Sequence, residues 1–162
     1  DLSNYCINLC NFSYIMKWDA DMILNPKSKN NLKKYLKTLN TYWPTFCEVE
    51  IQTLYKKSNI LLLSKDEINK EIMIFPNRSD VKFIKHKDYE LLQGKIYNSK
   101  ILTLNQVIIY ELKDTNEDEF SHWSTIDFPT DRKKIEYKKY MSIKNDAYTD
   151  SEFEVINEDN LK

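Results

Sequence analysis

Apolar residues recur at the helix period in one stretch of this 162-residue chain. The pair Asn25-Pro26 is a helix-start signal, because proline is well accommodated at the first helical position. The apolar residues that follow are spaced i, i+3, i+4 and i+7, as on one face of a helix: Leu32, Tyr35, Leu36 and Leu39. The pattern predicts an amphipathic helix that lays this face on a core.

The period changes to two between Phe46 and Tyr55, which predicts a half-buried strand. Its apolar face consists of alternate residues: Cys47, Val49, Ile51, Thr53 and Tyr55. Short apolar runs predict further strands within 14–18, 60–63, 72–75, 81–83 and 102–112. Residues 1–13 are interpreted as a helix or an irregular lead-in.

The end of the chain is predicted to hold one more helix, at about 131–143, capped by the Asp-Phe-Pro-Thr sequence of 127–130. The polar, acidic residues from Lys144 onward are expected to form a loosely attached tail. Strands outnumber helices, and a helix directly follows the first strand. The fold class is therefore α/β, a mixed sheet flanked by helices, with one domain over 1–143 and the tail over 144–162.

Composition excludes several classes of protein. Lys and Arg total 24 against 25 Asp and Glu, so the net charge of −1 argues against a nucleic-acid partner bound through bulk positive charge. Gly94 is the single glycine, which excludes glycine-rich phosphate loops. The longest apolar runs hold four residues, far short of the ~20 of a membrane span, so no transmembrane segment is expected. Three cysteines without metal-binding spacing favour reduced thiols and a cytoplasmic location.

The residues that best indicate chemistry are Asp19 and Asp21, which follow the first predicted strand. In extended backbone, residues i and i+2 point the same way, so the two carboxylates would converge while Ala20 points away. Ligand crevices of open α/β sheets lie beyond the carboxyl ends of strands. Two hard oxygen ligands suit Mg²⁺ or Mn²⁺ completed by substrate phosphates. A surface turn is the alternative, because aspartates are common in turns.

The segment 14–24, YIMKWDADMIL, resembles the DxD strand of glycosyltransferase family 2, whose members have the GT-A fold. Residues 71–77 resemble the family's E-x-R-L-F-x-N stretch, with Met73 where arginine is usual. Residues 81–83 and 89–90 resemble its V-x-F and H-E elements, with tyrosine in place of the histidine. Residues 121–123, Ser-His-Trp, resemble the histidine before the family's closing helix.

The resemblance implies a partial GT-A-like fold that transfers a sugar from a nucleotide-diphosphate donor to a hydroxyl-bearing acceptor, a glycan or a protein. Asp21 would coordinate Mn²⁺ or Mg²⁺, and Asp19 would contact the ribose or reach the metal through water. The metal would neutralise charge on the leaving diphosphate. His122 would be a third ligand or a diphosphate contact, with a surface imidazole as the alternative.

An inverting transfer also needs a base that deprotonates the acceptor hydroxyl. The resemblance places this role at Glu90, with Asp88 as its neighbour on the same strand face. The alternative is that both are solvated carboxylates. The basic run 132–134 could approach a diphosphate or could form a solvated helix face.

The family normally carries βα units before its DxD strand, whereas about 13 residues precede Tyr14. The resemblance therefore implies the carboxyl-terminal, acceptor-side portion of such an enzyme, and a remnant that lacks recognition of the donor base is the alternative. A non-catalytic α/β interaction domain, with tyrosine and tryptophan forming a partner surface, is the second functional hypothesis.

Overall fold

The computed structural model describes residues 2–39, 43–86, 89–94, 99–117, 120 and 130–161. Three α-helices lie in this part of the chain: α1 (Leu2–Leu9), α2 (Lys29–Leu36) and α3 (Asp131–Lys144). The strands are β1 (Tyr14–Met16), β2 (Met22–Leu24), β3 (Thr45–Lys57), β4 (Ile60–Pro76), β5 (Lys82–His86), β6 (Tyr89–Gln93), β7 (Lys100–Asp114) and β8 (Phe153–Ile156). Short 3₁₀ turns occupy Pro26–Ser28 and Glu158–Leu161.

Six of these strands form one mixed sheet in the order β1-β4-β3-β7-β2, with β8 also paired to β4. β3 and β7 are parallel, and every other strand pair among the described residues is antiparallel. β5 and β6 form a separate two-stranded sheet. The α/β class with a mixed sheet is confirmed. The DAD segment does not follow a parallel strand, however, because β1 is antiparallel to its neighbour β4.

The period-two prediction for 46–55 is confirmed by β3, where the alternate residues 47 to 55 are almost fully buried. The predicted amphipathic helix is present as α2, and its Leu32 packs into the main core cluster with Val49 and Ile109. Leu36, predicted on the same apolar face, is 42% exposed, so this part of the prediction is wrong. α2 ends at Leu36, whereas the apolar pattern runs on to Leu39. One sheet face therefore carries α2 over a continuous apolar core.

The two strands predicted at 60–63 and 72–75 are one continuous strand, β4. Of the residues between them, 68–71 remain in the ladder with β3, with Gln52 opposite Ile68 and Glu50 opposite Lys70. A register shift between Gln52 and Leu54 accommodates the extra residues of β4. Backbone hydrogen bonds do not depend on side-chain polarity, so an apolar pattern alone cannot show that such a strand continues.

The tail expectation is wrong for the segment that forms β8. β8 pairs antiparallel with Leu61–Ser64 of β4, and Phe153 is buried against Tyr55 with ring centroids 5.9 Å apart. α3, predicted at 131–143, spans Asp131–Lys144, and Thr130 accepts the capping hydrogen bond from Lys133 N. Its Tyr140 and Ile143 pack with Phe153 in the same core cluster. The few apolar residues of the acidic tail are enough to attach it to the core.

α1 is fastened to the small sheet through Asn4. Its side-chain amide donates to Phe83 O at 2.7 Å and its carbonyl oxygen accepts from Phe83 N at 2.8 Å. This pairing brings Ser3 within 2.6 Å of Glu90 on β6. No helix among the described residues is both long and apolar enough to cross a bilayer.

Candidate functional site

A cavity of about 830 Å³ opens where the DAD segment, β6 and the beginning of α3 come together. Each of these three segments contributes charged side chains, and β4 and β7 supply further carboxylates. The charged lining residues among those described are Lys17, Asp19, Glu71, Glu90, Glu111, Arg132 and Lys133. The volume lies within the range of about 300–1,000 Å³ typical of small-molecule sites.

The DAD segment is a turn, not extended backbone. Met22 N donates to Asp19 O at 3.0 Å, which closes the turn, and Leu112 N donates to Asp21 O at 2.8 Å. The expectation that i and i+2 share a side in an extended segment is therefore wrong here, because the chain must reverse between β1 and β2. Asp19 lines the cavity, whereas Asp21 is not among its lining residues.

Each aspartate of the doublet is paired with a lysine. Lys17 Nζ lies 2.9 Å from Asp19 Oδ2, and Lys113 Nζ lies 3.0 Å from Asp21 Oδ2. The two lysines differ in exposure, since the Lys17 side chain is 35% exposed and the Lys113 side chain 8%. Burial alone would lower the pKa of Lys113, but Glu111 and Asp21 raise it above its ordinary value. Lys113 is therefore a permanent positive charge behind the cavity wall.

Glu111 on β7 is a carboxylate with only 12% of its side chain exposed, and it holds its charge. Its Oε1 accepts from Lys113 at 2.8 Å and its Oε2 from Arg132 at 2.6 Å. Burial raises the pKa of Glu111, but Lys113, Lys133 and Arg132 outweigh burial and lower the pKa to about 2. The cavity thus has a fixed negative charge in its wall.

Arg132 joins three carboxylates from three elements. Its guanidinium lies 2.8 Å from Glu71 on β4, 2.6 Å from Glu111 on β7 and 2.7 Å from Glu136 on α3. Burial would lower the pKa of Arg132, and these carboxylates raise it. The interpretation of this run as a solvated helix face is wrong for Arg132, which is partly buried, whereas Lys134 is exposed beside Asp131.

Glu136 is a buried carboxylate that sequence reasoning missed. It is 0% exposed, and Lys133 Nζ donates to its Oε2 at 2.6 Å. Its Oε1 faces Arg132 Nε at 2.7 Å but lacks hydrogen-bond geometry. A sequence signal existed, because Glu136 is three residues after Lys133 and four after Arg132, the spacing of helical ion pairs.

The candidate base Glu90 also lines the cavity. Its Oε2 accepts from Ser3 Oγ at 2.6 Å, and β6 places Leu91 and Leu92 beside it in the lining. Asp19 and Glu90, 71 positions apart in the sequence, thus border the same cavity. Asp88 and His122 lie outside the described residues, so their predicted roles stay predictions.

The oxygen ligands available at the DAD turn are of the kind that binds a divalent cation. Asp19 and Asp21 offer hard carboxylate oxygens, and each uses only Oδ2 for its lysine within the described part of the chain. In the ranges that the structure describes, no three His, Cys, Asp or Glu side chains are grouped as a metal site. One or two carboxylates are enough for Mg²⁺ or Mn²⁺ when substrate phosphates complete the coordination.

Comparison of the chain with protein-family models gives no match, and comparison with curated proteins gives none either. The likeness to glycosyltransferase family 2 therefore rests on the residues quoted above and on nothing broader.

Proposed function

We propose that the chain is a metal-dependent glycosyltransferase, or the acceptor-side portion of one, that uses a nucleotide-diphosphate sugar and a hydroxyl-bearing acceptor. One observation carries the proposal. A carboxylate of the DAD turn (Asp19), a carboxylate suited to act as base (Glu90) and two cations (Arg132 and Lys133) come from distant parts of the sequence to one cavity. Sugar transfer from a diphosphate donor needs these three kinds of group.

The charge of the lining supports a divalent cation. Three cationic and four anionic side chains give the described lining a net charge of −1. A nucleoside diphosphate is itself an anion, so the lining alone repels it. A divalent cation at the DAD turn would reverse the sign of the local charge and would stabilise the leaving diphosphate as a Lewis acid. Mn²⁺ or Mg²⁺ is therefore part of the proposal.

The other side chains of the cavity have proposed roles that follow from their positions. Arg132 and Lys133 at the beginning of α3 face the cavity and would orient the diphosphate, with Thr130 beside them in the lining. The carboxylates that hold Arg132 fix its guanidinium in one orientation, which reduces the entropy lost when an anion binds. Glu90, on β6, would accept the proton of the acceptor hydroxyl.

Thermal unfolding with Mn²⁺ and UDP tests the proposal. We expect the two together to raise the melting temperature Tm by about 5 °C near saturation, because a ligand that binds only the folded chain stabilises it. The double variant Asp19→Asn/Asp21→Asn should lose this rise. Asp150→Asn, at an exposed position on the turn before β8, should keep it.

A second measurement detects the sugar-transfer reaction itself. Incubation with UDP-sugars, Mn²⁺ and a mixture of hydroxyl-bearing glycan acceptors should release UDP, as the sugar passes to an acceptor hydroxyl or to water. Glu90→Gln should slow the release while keeping the Tm rise. A chain whose Tm ignores Mn²⁺ and UDP, and which releases no UDP, would contradict the proposal.

The alternative, a non-catalytic α/β interaction domain, is favoured by one observation. Tyr5 and Leu9, four residues apart on α1, and Phe12, just beyond its end, are 62%, 61% and 80% exposed, and the sequence 2–16 around them carries no charged residue. Exposed large apolar side chains of this kind are typical of protein interfaces. Self-association or partner binding that Phe12→Ser abolishes, in a chain indifferent to UDP, would support this alternative.

A further inference from the structure

The two aspartates of the doublet differ in how firmly each is held. Asp19 is paired with Lys17, whose side chain is 35% exposed and can turn into solvent at little cost, since ion pairs near the surface contribute little to stability. Asp21 is paired with Lys113, whose side chain is 8% exposed. The ammonium of Lys113 can separate from Asp21 only if this largely buried side chain moves out of its position.

Lys113 Nζ lies between two carboxylates, 3.0 Å from Asp21 Oδ2 and 2.8 Å from Glu111 Oε1. A metal ion bound by two carboxylates has the same arrangement, with one positive charge between two negative ones. The backbone keeps this geometry, because Leu112 N donates to Asp21 O at 2.8 Å and Met22 pairs with Glu111 in the ladder of β2 and β7. Residues 111 and 113 are two apart on one strand, so their side chains share a face.

We propose that Lys113 is a built-in cation that holds Asp21 as a positioning residue and leaves Asp19 as the aspartate that meets a divalent cation. The role of the divalent cation rests on the proposed function, whereas the pairing of Asp21 with Lys113 does not. The division of roles is the reverse of the one that the family resemblance implies, in which Asp21 is the metal ligand.

The positioning role follows from the location of each group. Asp19 lines the cavity and Asp21 does not, so a cation in the cavity meets Asp19 first. Asp21 and Leu112 anchor the far end of the DAD turn to β7, and Lys113 fixes the Asp21 side chain there. The turn that carries Asp19 is thereby held at the cavity wall.

Binding of Mn²⁺ alone, followed by the electron paramagnetic resonance signal of the free ion, separates the two aspartates. We expect Asp19→Asn to weaken Mn²⁺ binding at least tenfold. Asp21→Asn should stay within about twofold of the wild type, because the asparagine carbonyl still accepts from Lys113. An Asp21→Asn variant that loses Mn²⁺ binding as fully as Asp19→Asn would overturn the proposal.

The stoichiometry of Lys113→Met gives an independent test. Removal of the ammonium leaves Asp21 without its lysine, while Glu111 keeps Arg132 and Lys133 as partners. Asp21 Oδ2 and Glu111 Oε1 then border the position that the ammonium occupied, and they are carboxylate oxygens of the kind that Mn²⁺ binds. We expect this variant to bind one Mn²⁺ more per chain than the wild type. Lys17→Met, the matched control at the exposed lysine, should bind the same number of ions as the wild type.

Failure of this inference can be told from failure of the proposed function. A wild-type chain that binds no Mn²⁺, with or without UDP, contradicts the metal-dependent function, and the Lys113 variant still decides whether a cation site has been uncovered. A Lys113→Met chain that binds no additional ion overturns the built-in cation. If circular dichroism shows that Lys113→Met is unfolded, Lys113→Gln replaces it, since glutamine removes the charge but keeps a hydrogen-bond donor.

Discussion

Arg132 Nη2 and Glu111 Oε2 lie 2.6 Å apart and join the beginning of α3 to the centre of β7. The same guanidinium also reaches Glu71 on β4, so one side chain ties a helix to two strands of the sheet. Both carboxylates line the cavity. The ion pairs that fasten α3 are thus also the wall of the candidate site, and stability and binding depend on the same groups.

Replacement of Arg132 by methionine should destabilise the fold strongly. The variant leaves Glu111 and Glu136 without their guanidinium partner in partly or fully buried positions, and breaking such pairs typically costs about 3 kcal/mol or more. Urea unfolding of the two proteins measures the difference. Arg78→Met is the matched control, because Arg78 pairs with Asp80, two residues away near the surface, and should change the free energy of unfolding by about 0.5 kcal/mol or less. Equal effects at the two arginines would contradict this picture.

The charge of Glu111 should make stability depend on pH in the acid range. Its folded-state pKa of about 2 lies below the ordinary 4.5, so the stabilisation is fully present above pH 4.5 and is lost as pH falls towards 2. A shift of this size corresponds to about 3 kcal/mol.

The comparison of wild type with Glu111→Gln isolates this contribution. The difference in unfolding free energy should be largest at pH 7 and should shrink steadily between pH 4.5 and 2. Glu158→Gln, at an exposed carboxylate, serves as the control and should show a small difference throughout. A Glu111→Gln difference that is independent of pH would show that the carboxylate has an ordinary pKa.

The segment after Lys144 should behave as part of the folded core. Phe153 is 4% exposed and packs edge-to-face on Tyr55 and Tyr148, so Phe153→Ala should lower the free energy of unfolding by about 3 kcal/mol. Val155, on the same strand, is 72% exposed, and Val155→Ala should change it by about 0.5 kcal/mol or less. Chemical denaturation measures both variants. A Phe153→Ala variant as stable as Val155→Ala would show that the segment after Lys144 is loosely attached after all.

The parts of the fold that could be predicted are those in which one face of an element is buried. β3 and α2 each present apolar residues at a regular period, because alternate residues of β3 and one face of α2 meet the same core. β4 between Ser64 and Glu71 is mostly polar, and its residues 68–71 are held by ladder bonds to β3, so no apolar period marks this part of the strand. β8 has one deeply buried residue, Phe153, which is too little for a pattern.

The candidate site likewise contains residues that the sequence could predict and a pairing that it could not. Asp19 and Glu90 were predicted from local motifs, and both line the cavity, but their catalytic roles remain predictions. The pairing of Asp21 with Lys113 spans 92 positions and has no local signal. Ion pairs of this kind depend on the order of strands in the sheet, here β7 beside β2, and strand order is not written in any short stretch of sequence.

The three thiols should differ in reactivity according to burial. Cys47 is fully buried on β3, and burial raises the pKa of its thiol to about 11, so almost none of it is thiolate at pH 8. Cys6 on α1 is exposed, and Cys10 is partly exposed with its Sγ donating to Cys6 O at 3.3 Å. Iodoacetamide at pH 8 should therefore modify Cys6 first and leave Cys47 unmodified in the folded chain, because the thiolate is the reacting species.

Peptide mapping by mass spectrometry after timed alkylation measures each cysteine separately. In concentrated urea the three rates should become similar, since unfolding removes the burial that distinguishes the sites. The ratio of the Cys47 rate in buffer to its rate in urea then reports how rarely β3 becomes exposed. Native-state labelling of Cys47 as fast as that of Cys6 would mean that β3 is not the buried centre of the sheet, and the core built on it would have to be abandoned.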